Sequence, residues 1–382
     1  MRTNYSTDAE DLGAERRARV EVLIEADFAA SRASYRPGET IGPLPYGLHS
    51  MEQQGVRLTQ HQGQLHGPAA KLQGRLENKT QMYWDLPLRA APTLNGCNAL
   101  LAIFERYGYL PSLAKTRGLP PFSGVPLIVV SCWLAEVAMR ASGRSNRTVP
   151  YLASPPLEAL RRRVRGIDLL VYFSANQREI YSEVLRIPEN RQLAIPFGVD
   201  TSFYTPLDGA RDLDVVSVGR DGGRDFATLL DAARGAEFSI TVITPPIQLA
   251  GLSIPDNVHA PGPVSHLQYR ELLRRAKVVV IPTRELAYPT GQSVALEAMS
   301  CGSAIVATST VAMSDYLETD VNCVAVPVGD APEMRNAIVR LLGDEQMRDR
   351  IGARARNDAL TRFTDRDMWS PVIAASEARG FW

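Results

Sequence analysis

The chain has 382 residues, and its 42 lysines and arginines are matched by 42 aspartates and glutamates, for a net charge of zero. That length exceeds what one hydrophobic core usually serves, so two domains with a cleft between them are expected. The balanced charge argues against nucleic acid as a partner and against broad attraction to an anionic membrane. Four cysteines, Cys97, Cys132, Cys301 and Cys323, stand too far apart for a zinc site or a disulfide scaffold, which points to a reducing cytoplasm. No cluster of metal-ligand type is visible either.

The polar, acidic start lacks the length and flanks of a signal peptide or membrane span, and residues 1–18 are expected to be disordered. VEVLI (20–24) reads as a strand, and PYGLHSMEQQGV reads as a helix stopping at Gly55. From Thr59 to Thr80 no period holds, which predicts a long loop bordering an acceptor site. VPLIVVS (125–131) and IDLLVYFS (167–174) are unbroken apolar runs, as strands covered on both faces should be. Between them RRRVR (161–165) reads either as a solvated helix end or as a basic patch for weak peripheral contact at the inner membrane face.

IPFGVDTSFYTP (195–206) breaks every period, so the boundary is placed there, between an N-terminal domain of residues 19–200 and a C-terminal domain of residues 201–362. The second half then alternates cleanly. Strands DVVSVG, FSITVIT, KVVVIPT, SAIVAT and NCVAVPV are separated by helices over DFATLLDAARG, SHLQYRELLRRA and QSVALEAMSCG. Such alternation specifies a doubly wound parallel sheet, with ligands beyond the carboxyl ends of its strands. Residues 363–382 are expected to form a last helix that crosses back to the N-terminal domain, with Trp369 as a structural anchor.

Two segments carry candidate chemistry. In VGRDGGRDF, Gly219 and its neighbours flank Arg220 and Arg224 just before a helix. Glycines let backbone approach phosphate, a helix start offers free amides, and guanidinium binds phosphate oxygens in pairs. A turn with solvated arginines has the same pattern. In PTRELAYPTGQSVALEAMSCGSAIVAT, Gly291 precedes a helix whose first amides, at Gln292 and Ser293, face the same region. Glu297 lies in an otherwise apolar stretch of that helix and needs a partner. A ribose diol would serve, and so would a neighbouring backbone or side-chain donor.

EAMSCGSAIVAT resembles the second half of the signature of family 4 retaining glycosyltransferases. The family's other landmarks follow in order: Ser174, Asn176 and Gln177 after a strand, IPFGVD, VGR with Arg224, NVHAPGPV, AKVVVIPT and AIVRLLGD. The resemblance implies a GT-B fold, two Rossmann-like domains facing a deep cleft, and transfer of a sugar from a nucleotide-diphosphate donor, UDP or GDP linked, to a hydroxyl acceptor. It implies retention of anomeric configuration by frontside attack, with no cofactor and no metal. Arg220 and Arg224 would hold the diphosphate, Gly219 and Gly291 to Ser293 would border it, Glu297 would bind ribose, and Gly262 and Val264 would flank the base. Gly38 lies near the position of a family glycine that touches phosphate and acceptor.

This chain departs from the family in two places. Where an acceptor-side histidine is usual it has Cys132 and Trp133, and only five histidines occur in the whole chain. Where the first signature glutamate is usual it has Pro289, and the nearest upstream acid is Glu285. The resemblance also covers a subgroup with Thr-Gly-Gln at that place. Besides transfer to a small molecule, glycan or glycolipid, a nucleotide-sugar epimerase and a non-catalytic sugar-nucleotide-binding subunit remain open.

Overall fold

The computed structural model describes residues 18–61, 67–145, 155–207 and 209–382. The disordered start expected over 1–18 therefore lies, apart from Ala18, outside the described residues. Two six-stranded sheets, parallel throughout, form the frame.

The first sheet contains β1 (Arg19–Leu23), β2 (Arg57–Thr59), β3 (Ala99–Ile103), β4 (Leu127–Val130), β5 (Leu169–Tyr172) and β6 (Gln192–Ala194), in the order β2-β1-β3-β4-β5-β6. Its helices are α1 (Phe28–Ser34), α2 (His49–Gln53), α3 (Gly67–Thr80), α4 (Asp85–Ala90), α5 (Glu105–Lys115), α6 (Leu134–Ala141), α7 (Leu157–Val164) and the short α8 (Gln177–Glu179). The second sheet contains β7 (Leu213–Val218), β8 (Ile240–Ile243), β9 (Val258–His259), β10 (Ala276–Ile281), β11 (Ala304–Thr308) and β12 (Val324–Val326), in the order β12-β11-β10-β7-β8-β9. Around it lie α9 (Phe226–Ala233), α10 (His266–Arg275), α11 (Gln292–Ser300), α12 (Ala331–Gly343), α13 (Glu345–Arg362) and α14 (Asp365–Ala378).

The central strands are largely apolar because both faces of each sheet are covered. In β10, Val279 and Ile281 pack into one core layer, and Val278 and Val280 into the layer on the opposite face. In β3, Leu100 and Ala102 face one layer while Ala99, Leu101 and Ile103 face the other. No strand was expected between residues 24 and 125, yet β3 sits in the middle of its sheet. Its sequence, ALLAI, is made largely of good helix formers, and its unbroken apolarity has no period to separate strand from buried helix.

The loop expected over 59–80 is corrected in part, since α3 occupies Gly67–Thr80. That helix is polar on nearly every face, with Leu72 and Leu76 exposed, so it shows no amphipathic stripe. It is held at its far end by the buried Glu77, whose carboxylate accepts from the amides of Trp84 (3.0 Å) and Asp85 (3.2 Å). Of the RRRVR run, Arg161 donates to the Val184 carbonyl (2.8 Å) and Arg163 lies over the Tyr109 ring, which leaves Arg162 and Arg165 exposed. No described helix is long and apolar enough to cross a membrane.

Helix α14 packs on the first sheet's side of the molecule. Met368, Trp369, Val372 and Ile373 join the core layer of β1, β3 and β5, and the Trp369 indole donates to the Tyr46 carbonyl (2.8 Å).

Candidate active site

In a doubly wound sheet, ligands bind where the strand order reverses. The reversal falls between β7 and β10 in one sheet and between β1 and β3 in the other. Residues just beyond all four strands line or border one cleft of about 1190 Å³: Glu25 and Phe104 on one wall, Arg220 and Tyr288 on the other. That volume exceeds the range of about 300–1,000 Å³ common for a single small ligand.

The C-terminal wall is organised around Arg224, which is only 5% exposed. Its Nε and Nη1 are buried and have no hydrogen-bond partner. A Cβ on Gly219 would stand 2.3 Å from Nε, and one on Gly291 would stand 2.6 Å from Nη1. Both glycines are thus needed to seat the guanidinium as well as to free the backbone. Gly291 also has φ of 91° as the N-cap of α11, a conformation that favours glycine. Asp221 ties the β7–α9 loop down by accepting from the Gly223 amide (2.8 Å) and the Thr290 hydroxyl (2.8 Å). Arg220 is exposed on the cleft wall.

Glu297 also lines the cleft, one helical turn beyond Ser293. The Tyr269 hydroxyl donates to its carboxylate, and the buried Tyr204 hydroxyl, without a hydrogen-bond partner of its own, stands beside it. Burial raises the carboxyl to about 7, a rise that Tyr269, Tyr204 and Arg224 partly oppose. Near neutral pH the group is poised between its two states, with a preference for ligands that donate to the ionised form.

The N-terminal wall is aromatic. The Phe104 ring stacks on Trp133, with centroids 5.3 Å apart, and meets Tyr46 edge-on at 5.4 Å. Phe104 has φ 79° and ψ 142°, close to a region essentially reserved for glycine, and Tyr46 has φ 53°. Holding such residues there costs on the order of 1–3 kcal/mol each. Next to Tyr46 stands a polar group in which His49 Nε2 lies 3.8 Å from the Asp365 carboxylate. Asp200 accepts from the Gly42 amide (2.9 Å) and the Phe203 amide (3.0 Å). Burial, reinforced by the charge of Asp200, raises Asp365 to about 7, and burial lowers His49.

The structure brings Arg220, Ser293, Glu297 and Trp133 onto the cleft, with Arg224, Gly219 and Gly291 immediately behind. The other expected residues are placed differently. The Gln292 amide is already taken by the Pro289 carbonyl (3.2 Å), so it is not the free donor anticipated. Glu285 accepts from the Val311 amide (3.3 Å) and binds backbone, not the cleft. Gly38 is absent from the wall, where Gly42 stands, and the Gly38 carbonyl accepts from Arg270 across the domains (2.6 Å). Gly262 turns with φ 93°, and Val264 packs against the C-terminal core. Sequence reading missed Tyr204, Tyr269, Tyr46, Phe104, His49, Asp200 and Asp365. They come from five places along the chain, the segment 46–49, Phe104, the segment 200–204, Tyr269 and Asp365, and no motif spans those places. Among the described residues, no group of three or more His, Cys, Asp or Glu could hold a metal ion.

Residues 225–344 match the family described as Glycosyl transferases group 1. The whole chain resembles the Anabaena Alr3699/HepE structure in complex with UDP and glucose, at 14% identity and TM-score 0.64, over 94% of this chain and 100% of that one. It resembles sucrose-phosphate synthase from Thermosynechococcus elongatus at 15% identity and TM-score 0.65, over 96% and 98%. A glycosyltransferase from Rickettsia africae matches at 10% identity and TM-score 0.53, over 95% and 98%. At such identities the likeness is one of fold, and the fold is GT-B. No curated protein matches the chain.

Proposed function

From a GT-B chain with a glycosyl transferases group 1 segment over residues 225–344, we propose a glycosyltransferase that moves a sugar from a nucleotide-diphosphate donor to a hydroxyl acceptor with retention. The observation that carries the reading is Arg224, a buried cation with two unpartnered guanidinium nitrogens at the N-terminal end of α11. An unpaired buried charge is costly, and an anion arriving from the cleft relieves that cost.

The diphosphate of the donor would lie against Arg220, the Arg224 side of the wall and the Ser293 end of α11. The ribose diol would donate to Glu297, in competition with the tyrosine contacts that hold it in the free protein. As the bond between anomeric carbon and diphosphate oxygen breaks, negative charge grows on the leaving group. The arginines and helix start stabilise it without a metal. The acceptor oxygen attacks from the same face and passes its proton to the departing phosphate oxygen, so no protein nucleophile is required. HepE has been crystallised with UDP and with UDP-glucose, which makes a uridine donor the first to test here.

Thermal stabilisation by a panel of nucleoside diphosphates and their sugars, on wild type, Arg224→Ala and Glu297→Ala, tests the proposal, because a ligand that binds only the native state raises its stability. A selective shift, lost or reduced in both variants, is expected. A flat panel on well-folded wild-type protein sinks the reading.

A further inference from the structure

The N-terminal wall has no role in the donor chemistry above, yet it contains the most strained backbone in the cleft. We propose that Tyr46, Phe104 and Trp133 form a stacking floor for the acceptor, and that this acceptor is a saccharide, held by a ring face on the aromatics and by hydroxyls on His49, Asp200 and Asp365. The inference rests on the sugar-transfer reading for the word acceptor, but the binding site itself does not.

The placement argues for it first. Phe104 directly follows β3 and Trp133 closely follows β4, so both lie at the carboxyl ends of strands, beside the reversal in the first sheet. The rings are also available. All three line the cleft, Phe104 and Trp133 are only partly buried, and Tyr46 is 41% exposed.

Strain supplies the second argument. A glycine at position 104 would take φ 79° without penalty, and a packing role alone could be met from an ordinary backbone. Instead the chain fixes two bulky rings at positive φ. It holds one of them by a hydrogen bond from Trp369 of α14, the far end of the sequence, to the Tyr46 carbonyl. Residues held this way cluster at ligand sites, where the surrounding structure over-determines them.

The neighbouring polar group selects the ligand class. His49 Nδ1 is buried without a hydrogen-bond partner, and His49, Asp200 and Asp365 all line the cleft within the same stretch of wall as Tyr46. A pyranose offers an apolar face of C–H groups and a rim of hydroxyl donors and acceptors, which matches rings beside carboxylates and an imidazole. An alkyl chain would offer His49 Nδ1 no partner and would cover the Asp365 carboxylate without donating to it. An anionic acceptor seated on these rings would meet the carboxylates of Glu25, Asp200 and Asp365.

The test uses the full chain with UDP present, titrated with methyl glucopyranoside, methyl galactopyranoside, maltose and cellobiose. Binding is read by saturation-transfer NMR and tryptophan fluorescence, with UDP affinity and melting temperature measured in parallel. Saturable binding of at least one saccharide is expected, strongest for the protons of one ring face. Phe104→Leu and Trp133→Leu, which keep apolar bulk, should weaken it about tenfold, whereas Phe104→Tyr and Trp133→Phe should stay near wild type. UDP affinity should move less than about twofold in both Phe104 variants, and saccharide binding by the Trp133 variants, whose ring packs against Leu286 and Tyr288 of the loop after β10, is read beside their own UDP affinity. Equal binding by leucine variants, or no saccharide binding by a protein that binds UDP, overturns the proposal. Failure of UDP to bind wild type defeats the donor reading instead, and the saccharide titrations then decide the subsite alone.

Discussion

The two walls of the cleft are built by different means. The C-terminal wall is made largely at loop-to-helix junctions, where Gly219, Arg220, Arg224, Gly291 and Glu297 belong to two short segments after β7 and β10. The N-terminal wall is assembled from single side chains delivered by β3, β4, the loop before α2, the interdomain segment and α14. A phosphate can be held by backbone and one or two cations, so its site leaves a compact mark in the sequence. A hydroxylated ring must be met over an area, and the side chains that do so come from wherever the fold provides an angle.

From that contrast, the largest single effect should come from the compact wall. Arg224→Ala should lower turnover with a competent donor by about 100-fold to 1,000-fold, as removal of one charge-stabilising donor typically does. Arg224→Lys should recover only part, because a point charge cannot make paired contacts to phosphate oxygens. A loss below tenfold, in protein that melts like wild type, would break the comparison by making this wall as diffuse as the other.

Next in size is Gly291→Ala. The new methyl would stand 2.6 Å from Arg224 Nη1 and 2.7 Å from Ile281 Cγ2, on a backbone with φ 91°. Positive φ at a non-glycine residue costs roughly 1–3 kcal/mol. A melting temperature lower by several degrees is expected, with donor affinity reduced about tenfold because the arginine must move. An unchanged affinity would show that the guanidinium can be displaced without consequence.

These two residues also show why the sheets were unequally legible. The elements of the C-terminal domain could be read because β-branched runs such as KVVVI alternate with amphipathic helices, and the strands β7, β10, β11 and β12 fall where the pattern puts them. Strand β3 could not, because Ala and Leu in an unbroken run satisfy helix and strand alike. Among site residues, Arg224 was legible as a cation after glycines. That Gly219 and Gly291 serve to seat it depends on a Cβ that neither residue has, against a side chain that only the fold brings there. Tyr269 and Tyr204 were invisible for a different reason. They approach Glu297 from α10 and the interdomain segment, at sequence separations that no motif spans.

The Glu297 carboxyl sets the third prediction. Its raised value, about 7, means that the free protein holds it largely protonated below neutrality. A ribose that donates two hydroxyls favours the ionised form, so binding must expel a proton when the pH is below about 7. Donor affinity should fall about tenfold between pH 8 and pH 6, and Glu297→Gln should flatten that dependence while weakening binding overall. Tyr269 and Tyr204, which face the group, are themselves raised by burial and stay neutral across this range. Asp365, also raised to about 7, stands on the other wall, so a slope that survives in Glu297→Gln would assign the proton there.

The smallest effect should come from the place where the two walls join. Glu136, 2% exposed in the first turn of α6, accepts from the Ser145 hydroxyl (2.8 Å) and from the Ala287 amide (3.0 Å), which belongs to the donor-side loop after β10. The Asn176 side-chain amide donates to the Ala287 carbonyl (3.3 Å), so one residue of that loop is held through both its N–H and its C=O by the N-terminal domain. Glu136→Gln can turn its oxygen to Ala287 and its amino group to the Ser145 hydroxyl, keeping both contacts in neutral form, and should stay within about twofold of wild type. Glu136→Ala removes the loop's grip and should raise the donor KM roughly three- to tenfold with kcat little changed, the share of one charge-assisted hydrogen bond that remote positioning can transmit. Steady-state kinetics on the pair separates the outcomes. A fall in kcat in the alanine variant would mean that the wall's two halves act on the reaction together, and that the donor loop takes its catalytic geometry from the acceptor side.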